Sequence, residues 1–485
     1  MRDDDLKNKK GLMKTALLSL LLLCASFPPV PYHWDSYISP KWYATGMAVV
    51  IILLYVVMGL AETDRRLLRE CWNRASLLSL GVLLLVNMCY FAQSFSLRNN
   101  PASPWPYDNP SGLAFAICVL NIPAMRAIRK HRYAMGTVFV LAFIIVFLTK
   151  SRTGLIVMSL FVMFFTLRHI HGKTVRVSVT VLLLSCLVFF VVIRKQDSSS
   201  GRCFILRTTL SLIMERPIAG HGLNGFQREY MDRQGKYFAS HPDSSYSMLA
   251  DEVCHPLNEY LMAWTNGGII GMVLLLTLTI IPIIHYVRGK KWVDALEAVP
   301  LPLFCFLSYP LNYPLAWIIL SVSLLGITES GRTAKWLFYV CSIVMTAYPM
   351  RLLMMENGVV DSGEIIYNKA AKAYRKGLFE DAMDLISKCR GMMSGYNLEL
   401  LSGDICRHLK RNEDAVNHYK TAANMCPCRF APLEGLFCIY KSESDSINAR
   451  TAAEQIVSKP VKVTNSCTTR IKLDAREYLK QYHIK

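Results

Sequence analysis

Charge is scarce in this sequence, and acidic charge scarcest: 35 Asp and Glu stand against 54 Lys and Arg, and the four types together make up 18% of 485 residues. No basic tract is interleaved with aromatics, and no RNA- or DNA-binding motif stands out. The formal net charge of +19 is therefore not the footprint of a nucleic-acid partner. No DxD-like carboxylate pair and no set of metal-ligand pairs stands out in the loops, so neither a metal nor a cofactor is assigned. Lys7, Lys9, Lys10 and Lys14 precede a leucine run ending near Pro28, as in a signal peptide. No small-x-small cleavage site follows, so the run is expected to be an uncleaved first helix.

What the chain has in quantity is apolar sequence: 53% of residues are hydrophobic, and the mean hydropathy is +0.28. A hydrocarbon core of about 30 Å needs roughly 20 apolar residues per crossing helix. Tyr43 to Ala61 and Val177 to Ile193 meet that length without an internal charge. The whole reads as an all-α, polytopic bundle of about 11 spans, beginning near Leu12, Ala44, Leu77, Gly112, Ala134, Thr153, Val175, Gly267, Ala295, Leu315 and Trp336. Alternate loops are basic: Arg65, Arg66, Arg69 and Arg74; Arg126, Arg129, Lys130 and Arg132; Arg168, Lys173 and Arg176; Arg288, Lys290 and Lys291; Arg332 and Lys335. The positive-inside bias makes these loops cytoplasmic.

The remaining loops then face outward. They are Asn99 to Pro110, rich in Pro and aromatics, the short turn Lys150-Ser151-Arg152, and the largest, Arg194 to about Leu257. A loop of that length inside a compact fold is usually functional or disordered. Residues 1–350 form the expected membrane domain, with 194–257 as its outer loop, and 362–485 form a polar helical domain on the same outer side. The latter repeats near the tetratricopeptide period of about 34 residues. Glu380-Asp381-Ala382 recurs as Glu413-Asp414-Ala415, Ala449 falls at the next interval, and Pro427 and Pro460 keep phase. Of the 15 cysteines, Cys118, Cys186 and Cys305 sit in apolar runs as packing residues. Cys203, Cys254, Cys389, Cys406, Cys426, Cys428, Cys438 and Cys467 lie where oxidation is possible.

Three outward segments carry chemistry. Ser151-Arg152 places an Arg at a helix terminus, where the bland reading is a snorkelling anchor. Its outward position runs against the topological bias, and a guanidinium grips phosphate in a bidentate way. Gly201-Arg202 continues through Arg207 to Pro217, Gly220, His221 and Gly222, with an apolar stretch from Phe204 to Met214. An interfacial helix with solvated charges is its plain alternative. His255-Pro256-Leu257-Asn258-Glu259-Tyr260 precedes Gly267-Gly268-Ile269-Ile270-Gly271. A His can accept a proton at physiological pH, although a loop His, including His221 and His241, is more often structural.

In this order and topology the three segments resemble the O-antigen ligase and polymerase (Wzy-type) superfamily of membrane glycosyltransferases. Ser151-Arg152 matches its Ser-Arg turn. Gly201, Arg202, Arg207, Pro217, Gly220 and Gly222, with Phe226 after them, match its Gly-Arg…Arg…Pro…Gly-x-Gly pattern. His255-Pro256, Asn258, Gly268 and Gly271 match its His-Pro-His-Asn…Gly-x-x-Gly pattern, with Leu257 in place of the second His. The resemblance implies a GT-C-like bundle in a bacterial inner membrane with a periplasmic C-terminal domain. It implies transfer of glycan from a polyprenyl diphosphate carrier to a hydroxyl of a lipid A-core, a glycan or a protein, without nucleotide sugar or metal. Arg152, Arg202, Arg207 and Asn258 would bind substrate, and His255 would be the catalytic base. The repeats would dock a protein partner. A flippase of lipid-linked sugars is the reading from another class; it would need ionisable residues within several spans and internal symmetry of the spans.

Overall fold

The computed structural model describes residues 2–28, 37–57, 65–96, 105–170, 172, 174, 177–178, 180, 196–328, 331–357, 362–462 and 464–483, and every regular element among them is helical. Contacts divide the chain into two compact units: Met1–Arg194 with Leu257–Tyr260 and Val273–Met354, and Lys195–Pro256 with Leu261–Met272 and Met355–Lys485. The long segment expected as a loop of the membrane domain thus shares its unit with the polar C-terminal tail.

The first unit is built from α1 (Arg2–Ser26), α2 (Ser39–Val57), α3 (Arg65–Ser96), α4 (Pro110–Ala127), α5 (Arg132–Leu148), α6 (Arg152–His169), most of α9 (Glu259–Arg288), α10 (Trp292–Ala298), α11 (Pro300–Leu307), α12 (Pro314–Ile327) and α13 (Gly331–Glu356). Five of these, α2, α3, α4, α9 and α13, are long and apolar enough to cross a membrane. Gly11–Ser26 of α1, together with α5 and α12, is apolar but shorter. The span expected from near Ala295 runs as α10 and α11, joined through Val299, whose backbone stays helical at φ −61°. Pro300 and Pro302 there have no N–H to give the ladder. The span expected from near Val175 falls largely outside the described residues. α4 is apolar all round and buried from Gly112 to Met125, as a helix at the centre of a bundle must be.

Polar contacts tie this unit at its two ends. At one, Asp294 joins Arg69 and Arg126, the latter at 2.5 Å, and Arg126 also reaches Glu297. At the other, Trp42 Nε1 donates to Asn312 O (2.9 Å), Asn109 Nδ2 donates to Tyr309 (2.6 Å), and Tyr313 donates to Asp108. The fully buried Lys41 donates to Pro106 O (2.8 Å) beneath the Tyr107 ring. The basic segments of Arg69 and Arg126 therefore meet α10 at one end of the bundle, and the Ser151 turn lies at the other.

The second unit holds α7 (Gln196–Glu215), α8 (Gly225–Ser240) and the tail helices α14 (Gly363–Arg375), α15 (Phe379–Arg390), α16 (Tyr396–His408), α17 (Asn412–Met425), α18 (Ala431–Ser442), α19 (Ser446–Ser458) and α20 (Ser466–His483). The tail helices pack as successive hairpins. A residue of positive φ closes each turn (Gly377, Lys410, Ser444), and a fully buried alanine follows at one register (Ala382, Ala415, Ala449). Those alanines let paired helices approach closely. Phe226, Tyr230 and Met231 of α8 share one apolar cluster with Tyr396, Ala422, Met425 and Cys426 of the tail. Within that contact the fully buried Gln234 donates to Met425 O (2.7 Å) and Asp251 O (3.0 Å). Arg429 pairs with Asp251 at 2.8 Å, and Asn397 donates to Glu252. All the described cysteines are free thiols.

Candidate functional site

The turn between α5 and α6 is a compact hydrogen-bonded cap. Lys150 adopts φ +57°, Thr149 donates to Val146 O (2.6 Å), and Ser151 Oγ accepts the Gly154 N–H (3.2 Å) as the N-cap of α6. Ser111 Oγ of α4 lies 3.4 Å from Ser151 Oγ. A Cβ on Gly154 would stand 2.7 Å from Ala114 and 2.8 Å from Val146, so α4, α5 and α6 close on one another at this point. Arg152 is the first residue of α6, with the exposed Lys150 before it and no acidic residue in the first turn. A helix N-terminus is electropositive and prefers anions. Two cations placed there concentrate that potential.

The second and third segments form one interlocked structure. Gly268 interrupts α9 with φ +66° and ψ −167°, which frees the carbonyls of the preceding turn. Thr265 O, which an unbroken helix would give to Ile269 N–H, accepts from His221 N–H at 2.8 Å. Asn266 O accepts from Gly222 N–H at 3.0 Å, and Ile269 N–H turns instead to Pro217 O at 3.0 Å. Asn266 Oδ1 caps Phe226 N–H (3.0 Å), and Trp264 Nε1 donates to Pro217 O (2.9 Å). The fit leaves no room for side chains at the crossing: a Cβ on Gly220 would lie 2.5 Å from Gly268 N, and one on Gly268 only 1.8 Å from Ile218 O. Gly220 and Gly268 both need positive φ and backbone-to-backbone approach, which only glycine supplies without cost.

That lock holds the end of α7, which carries the arginines. Phe204 is buried among Tyr237, Phe238 and Tyr246, each with its ring centroid 5.1 Å away. The opposite face of α7 is open. Arg207 is exposed, its guanidinium 5.8 Å from the Tyr237 ring, and Arg202 is exposed five residues earlier, about 140° round the helix. Leu206, Leu210 and Met214 form an exposed apolar stripe at four-residue spacing beside them. An anionic head with an apolar chain fits such a face better than either a soluble anion or a plain hydrocarbon.

His255 is half-buried, and burial holds its imidazole down to about 4, so it is neutral at physiological pH. His221 is buried with Nε2 2.9 Å from Leu212 O, and His241 stacks on Tyr237 at the end of α8; both are structural. Leu257, where the family pattern has its second His, has φ +56°, a region in which His is enriched over aliphatic residues. Arg202, Arg207 and His255 lie in the second compact unit; Arg152 and Asn258 lie in the first. Sequence reasoning missed Glu259, a buried carboxylate at the head of α9 that accepts Leu311 N–H at 2.8 Å. It also missed the aromatic seat of Phe204. Glu259 sits next to the His-Pro-x-Asn pattern, which was the available signal; nothing local marks the aromatic seat. Among the described residues no three His, Cys, Asp or Glu side chains are grouped to hold a metal ion.

Residues 137–276 match the family model described as O-antigen ligase. The matched stretch runs from within α5 to within α9 and contains Arg152, Arg202, Arg207, His255, Asn258 and the glycine lock. No curated protein matches the chain.

Proposed function

We propose that this chain, whose residues 137–276 match the O-antigen ligase family model and whose described residues include five helices long and apolar enough to cross a membrane, transfers glycan from a polyprenyl diphosphate carrier to an acceptor hydroxyl at the outer face of a bacterial inner membrane. The observation that carries this reading is the open face of α7, where Arg202 and Arg207 stand beside an apolar stripe. A lipid diphosphate presents that combination of charge and chain. In the reaction the acceptor oxygen bonds to the anomeric carbon as the bond from that carbon to the diphosphate oxygen breaks. Neutral His255 takes the hydroxyl proton. Arg202 and Arg207 stabilise the charge that develops on the departing diphosphate; for Arg152 and Asn258 a substrate-binding role rests on the family resemblance. The tail, a tetratricopeptide-like stack on the periplasmic side, presents a concave surface to a protein partner.

The test compares cells expressing the intact chain with cells expressing His255→Ala at matched levels. Lipid-linked, lipid A-linked and protein-linked glycans are separated by gel. Loss of one linked species with build-up of its lipid-linked precursor is the expected result, and it names the acceptor. Shorter chains on an unchanged acceptor would identify a polymerase. Unchanged pools would remove His255 from the mechanism and favour transport.

A further inference from the structure

A cavity of about 850 Å³ opens at the basic end of the first unit, far in sequence from the arginines of α7. Its wall is apolar: Met163, Phe164 and Leu167 on one face of α6, and Leu296 and Val299 from α10 and the residue after it. Its rim is cationic: Arg168 at the end of α6, and Lys290 and Lys291 in the turn before α10, all three exposed. None of the three is engaged by a carboxylate among the described residues. The one acidic lining residue, Asp294, is already held by Arg69 and Arg126, so its charge does not oppose an anion. Trp292, half exposed beside the lysines, is of the type that settles at the level of lipid head groups. A single snorkelling cation would explain none of this convergence, because three cations from two separate segments meet over one apolar recess.

We propose that this recess binds an anionic phospholipid of the adjacent leaflet. Its phosphate sits among Arg168, Lys290 and Lys291, and its upper acyl segments lie against Met163, Phe164 and Leu167. The cavity volume is within the roughly 300–1,000 Å³ of ordinary small-molecule sites, and basic pockets between helices on the cytoplasmic side suit anionic head groups.

The test uses the full chain purified in detergent, with phosphatidylglycerol, phosphatidylcholine or inorganic phosphate added, and reads retained lipid by native mass spectrometry together with the melting temperature. Wild type is expected to retain phosphatidylglycerol in preference to phosphatidylcholine and to melt higher with it. The combined Arg168→Gln, Lys290→Gln and Lys291→Gln variant is expected to lose that preference by about fivefold per cation, on the order of a hundredfold in all. A control variant, Arg129→Gln with Lys130→Gln and Arg132→Gln, removes three cations from the same end but outside the cavity, and is expected to keep it. Equal retention of the two lipids overturns the proposal. So does equal loss in both variants, which would mean general surface charge. Stabilisation by inorganic phosphate as great as by phosphatidylglycerol overturns it as well, in favour of a free-anion site.

Discussion

Replacing Gly268 by alanine tests the interlock directly. The new Cβ would stand 1.8 Å from Ile218 O and 2.4 Å from Ile218 C, inside any tolerable contact, at φ +66°. Moving the 217–222 turn away gives up three backbone hydrogen bonds, those of His221 to Thr265, Gly222 to Asn266 and Ile269 to Pro217. At a net contribution of about 1 kcal/mol each, their loss costs about 3 kcal/mol. At φ +66°, ψ −167° the backbone lies in a region essentially reserved for glycine, which adds roughly 1–3 kcal/mol for a residue with a side chain. The total is about 4–6 kcal/mol, which at ~2–4 °C per kcal/mol lowers the melting temperature by on the order of 10 °C. Two neighbouring glycines separate the causes. Gly267 is exposed with open space where a Cβ would go, and its alanine variant is expected to melt with wild type. Gly222 has φ +84° but also open space, so its variant is expected to show the backbone strain alone, a shift of a few degrees. The assay is thermal unfolding of the full chain in detergent, paired with glycan transfer. Gly268→Ala melting together with Gly267→Ala would refute the interlock.

Three further outcomes are expected. Transfer measured against pH should stay flat from about 8 to about 5 and fall below that, because His255 acts as the neutral base and burial holds it to about 4; an inflection near 6.5 would show an imidazole open to solvent. The same depressed value means that its contribution to stability is present above about 6.5 and is lost as pH falls toward 4. Arg207→Ala should reduce transfer by on the order of 10²-fold with an unchanged melting temperature, and Arg207→Lys should recover part of it; normal transfer by purified Arg207→Ala would remove the residue from the site. Gln234→Ala strips the buried Met425 carbonyl and the half-buried Asp251 carbonyl of their donor. At about 1–3 kcal/mol for each unsatisfied group, limited proteolysis should release the 362–485 region faster than from wild type, and an unaltered digestion pattern would show that the contact is dispensable.

The membrane character, the alternation of basic and apolar stretches and the three motif segments were legible in the order of residues, since each is a local property of composition or spacing. Apolar length reports a span wherever one helix buries itself in lipid. It does not report the interruption after Ala295, where Pro300 and Pro302 remove N–H groups from the ladder inside one apolar run and divide it into two short helices joined through Val299. The glycines at 220, 222 and 268 were readable as a motif, and His255 and the arginines as candidates. What they do together was not, because the hydrogen bonds that join residues 217–222 to 265–269 depend on the path of the chain between them. The same holds for the tail. Its repeat was visible as Ala382, Ala415 and Ala449 in phase, but nothing local says that Met425 and Tyr396 close over Phe226 and Tyr230. Periodicity determines which face of a helix is apolar; only the tertiary structure decides which other face covers it, because burial is a property of pairs of surfaces brought together from distant parts of the chain.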